Sequence, residues 1–235
     1  MSGKILVIDF DSTFVTLESL DELAKIALAE NPQKDKILIQ IKDVTRQGME
    51  GEISFDQSLA NRLALFQASR LHIEQLISLL RKNITKSVLR NGDLFKFYED
   101  KIYIISGGFK EYILPVVIHF GIQESHVIAN EFMFDSGGRV TGFHTSNYVC
   151  QKGGKAKAVR SLNLTDEIVV IGDGYTDYEI KEKGAANVFY AFTENIRRGS
   201  VVRVADREIQ SFDEIFSELL PLKSIKHILK NNSQD

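Results

Sequence analysis

Four short apolar runs, set apart by helix-like sequence, restrict this 235-residue chain to few folds. They are residues 4–9 (Lys4-Ile5-Leu6-Val7-Ile8, ending on Asp9), 102–105 (Ile-Tyr-Ile-Ile), 167–171 (Glu-Ile-Val-Val-Ile) and 187–190 (Asn-Val-Phe-Tyr). Each is rich in β-branched or aromatic residues at successive positions, so the strand it predicts is buried on both faces. Such strands, alternating with helical segments, predict an α/β fold: a parallel sheet with crossover helices on its faces. Sheets of this kind bind ligands beyond the carboxyl ends of their strands, so the residues that follow each run are where chemistry is expected.

The interval between the first and second runs is too long for one crossover. Residues 16–82 show helix-like patterns from Leu20 to Leu28, Ile37 to Arg46 and Phe55 to Phe66, with no convincing buried strand. An all-helical insert placed directly after a strand end reads as a lid over an active site. The chain then divides into a catalytic core, 1–15 and 83–235, and an inserted helical cap, 16–82. Within the core, Asp135-Ser136-Gly137-Gly138 lies between alternating runs over 129–143 and predicts a β-hairpin. The polar end, Lys223 to Asp235, is expected to fray.

Composition narrows the partners. A net charge of -3 and a pI near 6.0 leave no basic footprint for nucleic acid. Cys150 stands alone, which excludes an internal disulfide framework and a Cys-rich zinc site. The histidines His72, His119, His126, His144 and His227 show no metal-ligand spacing. No stretch approaches the ~18 apolar residues of a membrane span, and no signal segment opens the chain. The expectation is a soluble, cytoplasmic protein that acts on a small molecule, as a monomer or homodimer, with no membrane or nucleic-acid partner.

Four clusters follow strand ends or open helices. Asp9-Phe10-Asp11-Ser12-Thr13 comes straight after the first run, and Gly172-Asp173-Gly174-Tyr175-Thr176-Asp177 straight after the third. If those strands are neighbours, Asp9 and Asp173 form a carboxylate pair suited to Mg2+, which prefers oxygen ligands. Ser106-Gly107-Gly108 lies between the second run and helix-like residues 109–118, where a hydroxyl and backbone N–H groups can bind phosphate. Lys152-Gly153-Gly154-Lys155-Ala156-Lys157 opens a helix that runs to Leu162, and a lysine there can neutralise a phosphate oxygen. This last stretch is not a P-loop: Val149 stands where the first glycine would be, and Ala156 replaces the Mg2+-binding Ser/Thr. Taken singly, each cluster is also what an ordinary turn or solvated helix end requires.

In order along the chain, the four clusters resemble the haloacid dehalogenase superfamily of phosphatases, which implies a Rossmann-like core. The insert is similar to the cap of the phosphoserine phosphatase branch. It carries Glu18-Ser19-Leu20-Asp21-Glu22-Leu23, Met49-Glu50-Gly51, and Phe55-Asp56-Gln57-Ser58-Leu59 followed by Arg62. The resemblance implies that Asp9 is the nucleophile, forming an aspartyl-phosphate, and that Asp11 is the general acid and base. It implies that Mg2+ is held by Asp9, the Asp11 backbone carbonyl and Asp173, with Asp177 in support. Ser106, the Gly107 N–H and Lys155 are then the phosphoryl ligands, Lys155 being chosen over Lys152 and Lys157 from its alignment with the helix start.

The resemblance also implies that cap residues select the substrate. Glu18 would pair with the ammonium group of phosphoserine and Arg62 with its carboxylate, while Met49 and Phe55 close over the site. Thr176 stands where many members have Asn, and a phosphate contact is expected there. The implied activity is Mg2+-dependent hydrolysis of phosphoserine, the last step of serine biosynthesis. The same machinery would also serve another small phosphomonoester, or phosphoryl transfer to an alcohol such as homoserine.

Overall fold

A computed structural model describes residues 3–49 and 52–219, without the Met49 side chain. The expected fraying of the polar end falls outside the described residues. The chain starts with β1 (Lys4–Ile8) and passes through a tight loop into four helices: α1 (Ser19–Ala27), α2 (Lys34–Met49), α3 (Phe55–Ala64) and α4 (Arg70–Lys82). Two short helices, α5 (Lys86–Arg90) and α6 (Gly92–Phe97), lead to β2 (Ile102–Phe109) and α7 (Lys110–Val117). Then come β3 (Val127–Asn130), the hairpin β4 (Phe132–Phe134) and β5 (Val140–Phe143), α8 (Gly154–Ser161), β6 (Glu167–Gly172) and α9 (Tyr175–Glu182). The described chain closes with β7 (Val188–Phe192), α10 (Gly199–Val202), β8 (Arg207–Ile209) and α11 (Phe212–Leu219).

The main sheet has six strands in the order β3-β2-β1-β6-β7-β8, and every neighbouring pair is parallel. Alternation along β1 sends Leu6 and Ile8 into one core layer and Ile5 and Val7 into the other. The first layer is filled by α7, α11 and cap residues such as Leu23 and Leu76; the second by Ala156, Ala158 and Val159 of α8 and Ile180 of α9. The central strands are therefore covered on both faces, as their continuous apolar runs require. β2 is longer than its apolar run. It continues through Ser106-Gly107-Gly108 to Phe109, which pairs with Asn130 after a register shift, so the next helix starts at Lys110.

The insert joins the core at a two-chain stem. Val15 and Ile84 form an antiparallel bridge, Thr16 N–H donates to Asn83 C=O at 2.8 Å, and Thr85 N–H donates to Phe14 C=O at 3.0 Å. The described residues of 16–82 contain no strand of the sheet. α4 packs on α1 and on α7, which seats the insert on the core. The hairpin braces it from the other side: Val140 N–H donates to Ala68 C=O at 3.0 Å, and Arg70 N–H donates to Gly138 C=O at 3.0 Å.

Candidate active site

Strand pairing places the acidic residues. β1 and β6 are neighbours in register through Ile8 and Ile171, and Asp9 N–H donates to Ile171 C=O at 3.0 Å. Asp9 and Asp173 thus leave adjacent strand ends together. Asp177, in the first turn of α9, folds back to accept the Gly174 N–H at 3.0 Å. Carboxylate oxygens of Asp9, Asp173 and Asp177 all lie within 4.8 Å of one another. Lys155, in the first turn of α8, enters this cluster with Nζ 2.8 Å from Asp9 Oδ1 and 2.7 Å from Asp177 Oδ1. Lys152 and Lys157 are exposed, and Lys157 bonds Gln151 instead.

The cluster holds more negative charge than its cations balance. Burial, and then Asp9, push Asp177 up to about 8 although Lys155 opposes them. Burial works against the Lys155 charge too, but Asp177 and Asp9 outweigh it and hold Lys155 above its ordinary value. Burial and Asp9 likewise raise Asp173, against the Arg198 guanidinium, whose Nε donates to Asp173 Oδ2 at 2.9 Å. An all-oxygen set of buried carboxylates with surplus negative charge fits a hard divalent cation such as Mg2+.

The haloacid dehalogenase-like hydrolase family model matches residues 6–181. The chain belongs to that family. It is 31% identical over 221 residues to the phosphoserine phosphatase of Homo sapiens, covering 93% of this chain and 94% of that one. It is 29% identical to the chloroplastic phosphoserine phosphatase of Arabidopsis thaliana, covering 93% of this chain and 72% of that one. A phosphoserine phosphohydrolase-like protein from Francisella tularensis superposes with a TM-score of 0.79 at 30% identity, covering 93% of this chain and all of the other. The enzyme class this hydrolase shares with its relatives is phosphoric monoester hydrolase.

Asp11 faces the cap. Its carboxylate accepts the Ser19 N–H at 3.1 Å and the Ser19 hydroxyl, so it caps the start of α1. Burial, followed by the Glu18 carboxylate, holds Asp11 well above the usual carboxylate range. Directly after Asp11 the chain turns sharply, with Ser12 at φ 53, a left-handed conformation that residues other than glycine seldom adopt. The Asn195 amide holds that turn, donating to Ser12 C=O at 3.1 Å and to the Thr85 hydroxyl of the stem at 2.6 Å.

Ser106 is buried, and its Oγ accepts the Gly108 N–H at 3.0 Å. Gly107 C=O accepts from Asn130 Nδ2 at 2.8 Å, which fixes the peptide plane of the turn. Phe55 of the cap lies directly over it: a Cβ on Gly107 would sit 2.9 Å from the edge of that ring. A capping box sets the first turn of α3, with the Ser54 and Gln57 side chains each accepting the other's N–H, and so aims Phe55.

Glu18 accepts the Ser12 hydroxyl at 2.7 Å and lies 3.5 Å from Arg198 Nη2, with half its side chain open to solvent. Arg62 is half-buried and donates Nε to Ser58 C=O at 3.3 Å. No carboxylate among the described residues lies within ion-pair distance of its guanidinium, although Asp21, Glu18 and Asp11 support its charge against burial. Thr176 is exposed and makes no hydrogen bond among the described residues, so it is not gathered with the others. Met49 ends α2, and its side chain lies outside the described residues.

The sequence motifs do not single out Arg198, Asn195 or Asn130, and Ser19 stands in a cap motif with no role assigned to it. Arg198 and Asn195 share one signal that could have found them: both follow the carboxyl end of β7, on the edge where ligands bind.

Proposed function

We propose that this hydrolase is a Mg2+-dependent phosphoserine phosphatase working through an aspartyl-phosphate. The observation that carries the reading is the state of Asp9. Its Oδ1 accepts the Phe10 N–H at 2.8 Å and pairs with Lys155, whereas Oδ2 accepts no hydrogen bond among the described residues. One oxygen is anchored and the other is free to attack. Two residues on, Asp11 has the raised proton affinity that an acid needs.

In the first step Asp9 Oδ2 attacks phosphorus, the bond from phosphorus to the ester oxygen breaks, and the Asp11 proton goes to the leaving serine oxygen. In the second, Asp11 takes a proton from water, the water oxygen attacks phosphorus, and the Asp9 carboxylate is released with inorganic phosphate. Ser106 Oγ, the Gly107 N–H and Lys155 Nζ donate to the phosphoryl oxygens as charge shifts. Mg2+, when held by Asp9, Asp173, Asp177 and the Asp11 carbonyl, offsets the repulsion between an anionic nucleophile and an anionic ester.

Glu18 and Arg62 receive the ammonium and carboxylate groups, and Phe55 limits water entry from the cap. A cytoplasmic setting accords with the single, buried Cys150, and no described helix is long and apolar enough to cross a membrane. The test is a panel of phosphorylated amino acids and other phosphate esters, assayed with and without Mg2+. The expected result is a clear preference in kcat/KM for phosphoserine over phosphothreonine and unrelated esters, lost on chelation. A flat profile across the panel overturns the substrate; full activity after chelation overturns the metal.

A further inference from the structure

Tyr112 lies in the first turn of α7, just beyond the Ser106-Gly107-Gly108 turn, and is fully buried. Its ring is wedged among Phe10, Phe109 and Phe132, with centroids 6.5, 6.1 and 6.4 Å away. Its hydroxyl has no hydrogen-bond partner among the described residues. A buried hydroxyl left unsatisfied is uncommon, and a phenylalanine would fill the same space without that cost.

The oxygen is aimed at the site. A Cβ on Gly108 would lie 2.7 Å from Tyr112 Oη and 3.3 Å from Ser106 Oγ, so the phenol end sits beside the phosphate-binding turn. The charges of Asp11 and Arg62 both act on it. Burial, and then Asp11, keep the phenol protonated, so it offers a proton donor. Arg62 is a donor only and has no acceptor to give it. What the hydroxyl lacks is an acceptor. In the reaction proposed above, the phosphoryl group has donors in Ser106, Gly107 and Lys155, and the ammonium group is a donor. The remaining group is the carboxylate, whose lone pairs exceed what one guanidinium fills.

We infer that Tyr112 Oη donates a hydrogen bond to the carboxylate of a phosphorylated amino acid, sharing that group with Arg62. This rests on the phosphoserine reading and adds a specificity-determining residue from the core side of the candidate site. The experiment compares kcat/KM for phosphoserine with that for phosphoethanolamine, which has the same phosphate and amino groups but no carboxylate, in the wild type and Tyr112→Phe. The ratio is expected to fall about 10- to 100-fold in the variant, as for one lost hydrogen bond to a charged group. A thermal melt checks the fold, which loses only an unpartnered hydroxyl. Combining Tyr112→Phe with Arg62→Ala should lower the ratio by less than the product of the single effects, because both residues hold one group. An unchanged ratio in Tyr112→Phe, or equal losses on both substrates, overturns the Tyr112 assignment while the substrate reading stands. Strict multiplicativity in the double variant overturns the sharing. A wild type that does not prefer phosphoserine to phosphoethanolamine overturns the substrate reading itself, and the inference with it.

Discussion

The two walls of the candidate site are built differently. On the core wall, Asp9, Lys155, Asp173 and Asp177 leave strand ends or first helical turns; Lys155 pairs with Asp9 and Asp177, and Asp173 is held by Thr13 and Arg198. On the cap wall, Glu18 is half exposed, Arg62 has no ion pair among the described residues, and Phe55 touches the core through ring contact with Gly107. Groups that must meet a developing charge gain from being fixed beforehand, since no reorganisation is then required during the reaction. Groups that admit and release a substrate must remain able to move. On the proposed reading, chemistry falls to the core wall and selection mainly to the cap wall, with Tyr112 the core residue that also selects, and substitutions on each side can break that division.

The largest effect should come from Asp9→Asn, which removes the attacking oxygen's charge and should lower kcat by roughly 10^4- to 10^6-fold. Substantial phosphate release by this variant would end the nucleophile assignment. Lys155→Met comes next, with a loss in kcat of about 10^2- to 10^3-fold, the scale for one donor to a developing charge. A loss confined to KM would move Lys155 from the chemical step to simple binding. Glu18→Gln and Arg62→Ala should raise KM for phosphoserine by about 10- to 100-fold, with far smaller changes for an ester lacking amino and carboxylate groups. Equal effects on the two esters would erase the difference between the walls. Gly107→Ala is the mildest: its Cβ must displace the Phe55 ring, raising KM some 3- to 10-fold on the scale of mild overpacking. Adding Phe55→Leu should recover part of that loss, and no recovery would place the damage in the turn itself.

Much of the core wall was legible in sequence because the strands carrying it are central. β1, β2, β6 and β7 are covered on both faces, so their runs are largely apolar, and the first three give way to Asp9, Ser106 and Gly172-Asp173. The edge strands β3 and β8 were not legible. They have four and three residues, and Arg207 and Glu208 give β8 no apolar signature. The extension of β2 through two glycines was hidden for a related reason, since glycine usually marks a strand's end and here the backbone continues toward Asn130. The unforeseen site contacts, Arg198 with Asp173 and Asn195 with Ser12, span 25 and 183 residues. No local periodicity records such meetings. Tyr112 was hidden for the opposite reason, because an aromatic residue in an apolar helix reads as core, and its ring is core.

The stem has a consequence for how such a molecule can diversify. Val15 and Ile84 face each other across one antiparallel bridge, so the chain departs for the insert and returns at the same place. A segment whose two ends already meet can be exchanged for another, longer or shorter, at a loop-closure cost that grows only slowly with its length. A replacement that kept the face α4 presents to α7 would leave β1 and β2 paired as they are, with Asp9 at its strand end. Descendants could therefore inherit the acidic cluster of the core and change what covers it by splicing at two neighbouring peptide bonds.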